Sequence, residues 1–253
     1  MTASPLRPSG RTDAGAAAVA LGAAAAAWAL TADRMAGMDP GPGSELGGLG
    51  WFAVSWMLMM AAMMLPAVTP MVAAYGARAR RPGATALFAA AYLATWLAAG
   101  LAGYAAIEAV RSLDWGFLAW QEGGRYVAAG VIVAAGLYQL TAPKARALRR
   151  CRDRRTLLRE HWRPGRPGAL RMGVEHGGYC VGCSWALMAA LFALGVMSLA
   201  WMALVAVLIA AERLLPRHTR LGVALVLVAL GTCVALIPGQ VPALAAPGSM
   251  PMP

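Results

Sequence analysis

Long apolar stretches, separated by basic or turn-rich breaks, recur along almost the whole chain. Several approach or exceed the ~18 residues that carry a helix across a bilayer. Because lipid offers no partners to free backbone groups, such stretches imply helices. The pattern predicts spans over about 14–32, 49–75, 84–110, 125–142, 172–196, 198–215 and 221–238. The fifth and sixth come from one nearly unbroken apolar run, Met172 to Leu215. At ~1.5 Å per residue that run is too long for a single ~30 Å crossing, so we divide it near Gly195–Ser198. The expected fold is an all-α, polytopic transmembrane helix bundle forming one integral membrane domain over residues 1–253. Seven helices are expected; six follow if the first run is not a span or the division is wrong. Pro66 and Pro70 fall inside the second helix and should kink it.

Composition agrees with this reading. The chain is 60% hydrophobic and 13% charged, against about 45–50% and about 25% in soluble domains. The net charge of +11 is spread between the apolar segments, where arginine sets topology rather than binding nucleic acid. Residues 143–171 hold Lys144 and ten arginines against Asp153 and Glu160. The positive-inside bias makes them a cytoplasmic loop, with the N terminus and the Arg78–Arg81 turn on the same side. Dividing the long run returns Arg213, Arg217 and Arg220 to that side and leaves the C terminus outside. The expected location is the cell's inner (plasma) membrane, multi-pass, with the first apolar run retained as a span.

The richest chemistry lies in VEHGGYCVGCSWALM, residues 174–188. Cys180 and Cys183 stand three apart and share a helix face, which His176 joins four residues before Cys180. Thiolates and imidazole suit Cu(I) and Zn(II). The same cysteines and glycines would also allow close helix packing. The stretch WMLMMAAMMLP, residues 56–66, carries five methionines. Met57, Met60 and Met64 form one stripe with Met63 beside it, and thioethers are soft, neutral ligands for Cu(I). Methionine is equally a good filler of irregular cores. Met35, Met38, Met250 and Met252 add loose methionine pairs on the outer side. Glu212 is an intramembrane acid, hence a site candidate, although Arg213 beside it offers an ion pair. Cys151 lies in the basic segment and Cys233 in an apolar helix, so the four cysteines form no extracellular disulfide framework. His161 and His218 lie in basic polar segments and are read as solvated. No Walker loop, dinucleotide fingerprint, HExxH motif or Ser–His–Asp set occurs. An ATP-driven pump is excluded for this chain alone, and no catalytic residue is assigned.

These two stretches resemble the family known as domain of unknown function 2182, described as predicted metal-binding integral membrane proteins. Ala62, Met63, Met64 and Pro66 match its Ala-Met-Met-x-Pro ending. Cys180, Gly182, Cys183, Trp185, Met188, Gly195, Met197 and Glu212 match its second pattern. The resemblance spans roughly residues 45–220 and implies metal binding, with Met188 and Met197 joining the candidate ligands. Ser184 stands where the family usually has a further cysteine, so a three-thiolate site is in doubt.

The leading expectation is a membrane protein that binds Cu(I), or zinc or another transition metal, through these sulfurs and transports or delivers it. A metallochaperone or another membrane protein would be its partner. Two other readings stay open. One is a membrane thiol-disulfide oxidoreductase cycling Cys180 and Cys183. The other is a non-catalytic assembly subunit packing through small residues.

Overall fold

The structure, a computed structural model, describes residues 10–36, 47–112, 123–196, 198–215 and 219–237. Those residues form nine helices: α1 (Gly10–Met35), α2 (Leu49–Ala79), α3 (Pro82–Arg111), α4 (Arg125–Tyr138), α5 (Ala142–Arg152), α6 (Arg154–Glu160), α7 (Gly165–Leu194), α8 (Leu199–Leu214) and α9 (Thr219–Leu236). No strand occurs among the described residues. The all-α expectation holds, and the helix count is corrected. Five helices, α1, α2, α3, α7 and α9, are long and apolar enough to cross a membrane. A sixth follows if α4 and α5, bent by 65° at their junction, make one broken span.

Two of the seven expected spans, the helices at α4 and α8, are too short, α4 having 14 residues. The division of the long apolar run falls where expected, at Gly195, whose φ of 103° ends α7 in a conformation that favours glycine. The returning α8 has only 16 residues, short of a full crossing. Residues 143–171, expected as a loop, are mostly helical, because arginine and lysine are good helix formers. Thr141 caps α5 through its side chain, and Pro143 sits in the first turn. Asp153 caps α6, accepting from Thr156 N at 3.0 Å and Thr156 Oγ1 at 2.6 Å. Those hydrogen bonds hold its carboxyl below the usual carboxylate range. Helix α2 continues through Pro66 and Pro70 as one element.

Packing follows small residues. Ala20, Ala24 and Ala27 make the buried face of α1, which lies against α2. Gly173 and Gly177 bring α7 onto α3: a Cβ at Gly173 would stand 2.4 Å from Phe88 O, and one at Gly177 would stand 2.8 Å from Thr95. The core is rich in sulfur. Met59, Met60, Met63, Met64 and Met71 of α2 share one buried cluster with Met172, Cys180, Cys183 and Met188 of α7, and with Met202 of α8.

Candidate metal site

Cys180 is fully buried on α7, and its Sγ is approached from two other helices. From α3, Tyr92 OH lies 3.0 Å away and Trp96 Nε1 donates at 3.2 Å. From α8, Arg213 Nη2 donates at 2.6 Å. The close α3–α7 approach permitted by Gly173 and Gly177 is what places Tyr92 and Trp96 within reach. Helix α2 supports this wall at one remove, since Trp56 Nε1 donates to Trp96 O at 2.8 Å. Two obligate N–H donors on one sulfur make Cys180 an acceptor, an electron-rich soft centre.

Cys183 follows one turn later, also buried. Its Sγ donates to Cys180 O at 3.2 Å and lies 3.5 Å from Ser184 Oγ. Behind it, Lys144 Nζ of α5 donates to Cys183 O and to Glu212 Oε2, the latter at 2.6 Å. Lys144 and Glu212 are 0% and 2% exposed, so this ion pair is a buried bolt through α5, α7 and α8. Glu212 therefore pairs with Lys144, not with its neighbour Arg213. Its Oε1 has no hydrogen-bond partner.

His176 is buried one turn before Cys180, its ring 5.8 Å from Tyr92 and 6.1 Å from Phe88. Its Nδ1 is without a hydrogen-bond partner, an orphaned nitrogen at the edge of the sulfur cluster. Met60, Met63, Met64 and Met188 are buried within that cluster, whereas Met57 is only half-buried. Met197 lies outside the described residues, as do Met38, Met250, Met252 and His218. His161, read as solvated, pairs instead with Glu175.

Sequence reasoning passed over Tyr92, Trp96, Lys144, Arg213, Met71, Met172 and Met202. One signal was readable. Met172, His176, Cys180, Cys183 and Leu187 repeat at helical spacing, and all five are buried, so they mark the inner face of α7.

Buried thiols, thioethers and one orphaned imidazole nitrogen form a donor set that suits a soft, thiophilic ion and disfavours hard ones. Among the described residues, no group of three or more His, Cys, Asp or Glu side chains is already arranged to hold a metal ion. Arg213 Nη2 donates to the Cys180 sulfur, so a metal bound there would have to displace that N–H. The donors fit a soft metal in kind, and closing a site around one requires that N–H to withdraw.

Fold and site thus define a class: a helical bundle, long and apolar enough in at least five helices to cross a membrane, with soft donors collected in its interior. The family comparison narrows that class. Residues 53–236 match the copper chaperone family PpoB2, and the chain belongs to it. The match runs from within α2 to the last residue of α9, taking in both the methionine stretch and the cysteine pair. It supports the metal-related family expected from those stretches and ties the chain to copper. No curated relative and no solved structure matches.

Proposed function

We propose that this chain is a multi-pass membrane copper chaperone. It holds Cu(I) at Cys180 and Cys183 and releases it to a partner protein at the membrane. The observation that carries the reading is the Cys180 thiol, wholly buried where α3, α7 and α8 meet, in a core that also holds buried thioethers. Cu(I) accepts two- and three-coordinate sulfur environments, so Met60, Met63, Met64 and Met188 provide neutral stepping positions that stay compatible with lipid when empty. Membrane placement rests on the five long apolar helices and on outward apolar side chains such as Val207 and Leu225, 64% and 62% exposed. The basic segment containing α5 and α6 would then lie on the cytoplasmic face.

Elemental analysis tests this directly. Protein purified after growth with copper, zinc or nickel is expected to carry copper, roughly one ion per chain. The Cys180→Ser/Cys183→Ser double variant is expected to lose it. Equal copper in both proteins would remove the pair from the site, and zinc or nickel in place of copper would overturn the choice of metal.

A further inference from the structure

A cavity of about 90 Å³ is lined by Met71, Cys151, Arg152, Arg154, His176 and Arg213 among others, and Arg213 donates to the Cys180 sulfur. Of these, Cys151 is the thiol. It sits on α5, 29 residues before Cys180, in what reads by sequence as a solvated basic loop. The fold places it otherwise. Lys144, Leu148 and Cys151 follow i, i+4, i+7, and all three are buried, so they form the inner face of a short amphipathic helix. Lys144 bolts that helix to α7 and α8. Arg152 Nη2 donates to Leu215 O at 2.9 Å, fastening it over the end of α8, and Arg154 Nη1 of the following α6 donates to Pro70 O of α2 at 3.2 Å.

So held, the Cys151 thiol lies in the same buried core as Cys180 and Cys183, and it lines the cavity together with Arg213, whose guanidinium donates to the Cys180 sulfur. Three sulfurs around one ion at about 2.3 Å stand roughly 4 Å apart in a flat triangle. Cys151, Cys180 and Cys183 would close such a triangle once Arg213 leaves the Cys180 sulfur and the three side chains turn toward one ion. His176, whose buried Nδ1 has no hydrogen-bond partner, lines the same cavity and points independently to a ligand.

We propose that Cys151 is the third sulfur ligand of the Cu(I) site and the thiol through which an ion in the cavity reaches it. The inference rests on the reading of Cys180 and Cys183 as the copper-holding pair. It also answers the question raised by Ser184: the third thiol comes from another helix.

The full chain in detergent, loaded anaerobically with Cu(I) from a chromogenic chelator, provides the test. Copper-edge X-ray absorption should give three sulfur neighbours for wild type and two for Cys151→Ser. Even outer-shell partners are worth about 10–100-fold in metal affinity, so loss of this ligand should weaken binding about 10-fold or more in chelator competition. Cys151→Ser/Ser184→Cys, which returns a thiol beside Cys183, should regain much of that loss. A readout that needs no variant is alkylation followed by mass spectrometry. One equivalent of Cu(I) should protect Cys151 together with Cys180 and Cys183 and leave Cys233 unaffected. If copper binds wild type, is lost in Cys180→Ser/Cys183→Ser, and yet neither shields Cys151 nor weakens in Cys151→Ser, the third-ligand assignment fails while the chaperone reading stands. If wild type takes up no Cu(I), the chaperone reading itself fails.

Discussion

Lys144→Met should destabilise the folded chain by about 3–5 kcal/mol, the usual cost of leaving one member of a buried ion pair uncompensated. Lys144 is wholly enclosed, and its ammonium serves both Glu212 and the backbone carbonyl of Cys183. Its loss strands a carboxylate that already has one oxygen without a partner. It also releases the carbonyl behind one of the candidate ligands. Glu212→Gln should cost less, because an amide oxygen can still accept from the ammonium. In the double variant Lys144→Met/Glu212→Leu no buried charge remains, and most of the loss should be recovered. Thermal unfolding of the detergent-solubilised variants measures all three. A Lys144→Met protein as stable as wild type would mean that this pair is not sealed from water.

Gly173→Ala should be the next most damaging change. The added Cβ meets Phe88 O at 2.4 Å and Ala91 Cβ at 2.8 Å. The first of these is backbone and cannot rotate aside, so α3 and α7 must move apart. Overpacking of this kind costs about 1–3 kcal/mol. The functional effect follows from geometry. Tyr92 and Trp96 lie on α3 about one and about two helical turns beyond Phe88, and both address Cys180. Separating the helices should therefore weaken Cu(I) retention as well as stability. Gly178→Ala is the matched control, with nothing within 4 Å of its added Cβ. If both variants behaved alike, close α3–α7 contact would not be what shapes the site.

These two cases show where sequence and structure part company. Faces within one helix were legible: Cys180, Cys183 and His176 do share the inner face of α7, and the break at Gly195 followed from length alone. The α2 methionines were less decisive. Met60 and Met64 of the predicted stripe are buried, but so are Met59 and Met63, so the inner face is broader than the stripe. Which faces meet could not be read. Tyr92 and Trp96 precede Cys180 by 88 and 84 residues, and no spacing rule couples positions so distant. The basic segment misled most. Its charge indicated a side of the membrane, and the reading took that for a lack of structure. The segment is instead helical, and it delivers both Lys144 and Cys151 to the interior. Glu212 was noticed as a buried acid, but its partner lay 68 residues away.

The turn at Gly195 has a further consequence. Cys180 lies fourteen residues before Leu194, where α7 ends, and Arg213 lies fourteen after Leu199, where α8 begins. The two arms of this hairpin are thus matched in length, which sets sulfur and guanidinium at the same depth. Such an arrangement is sensitive to phase. One alanine inserted after Val205 would advance everything beyond it by ~1.5 Å and rotate it by about 100°. Glu212 and Arg213 would then face away from Lys144 and Cys180, although no residue of the site had been replaced. Copper retention should fall in that insertion variant while every candidate ligand remains in the chain.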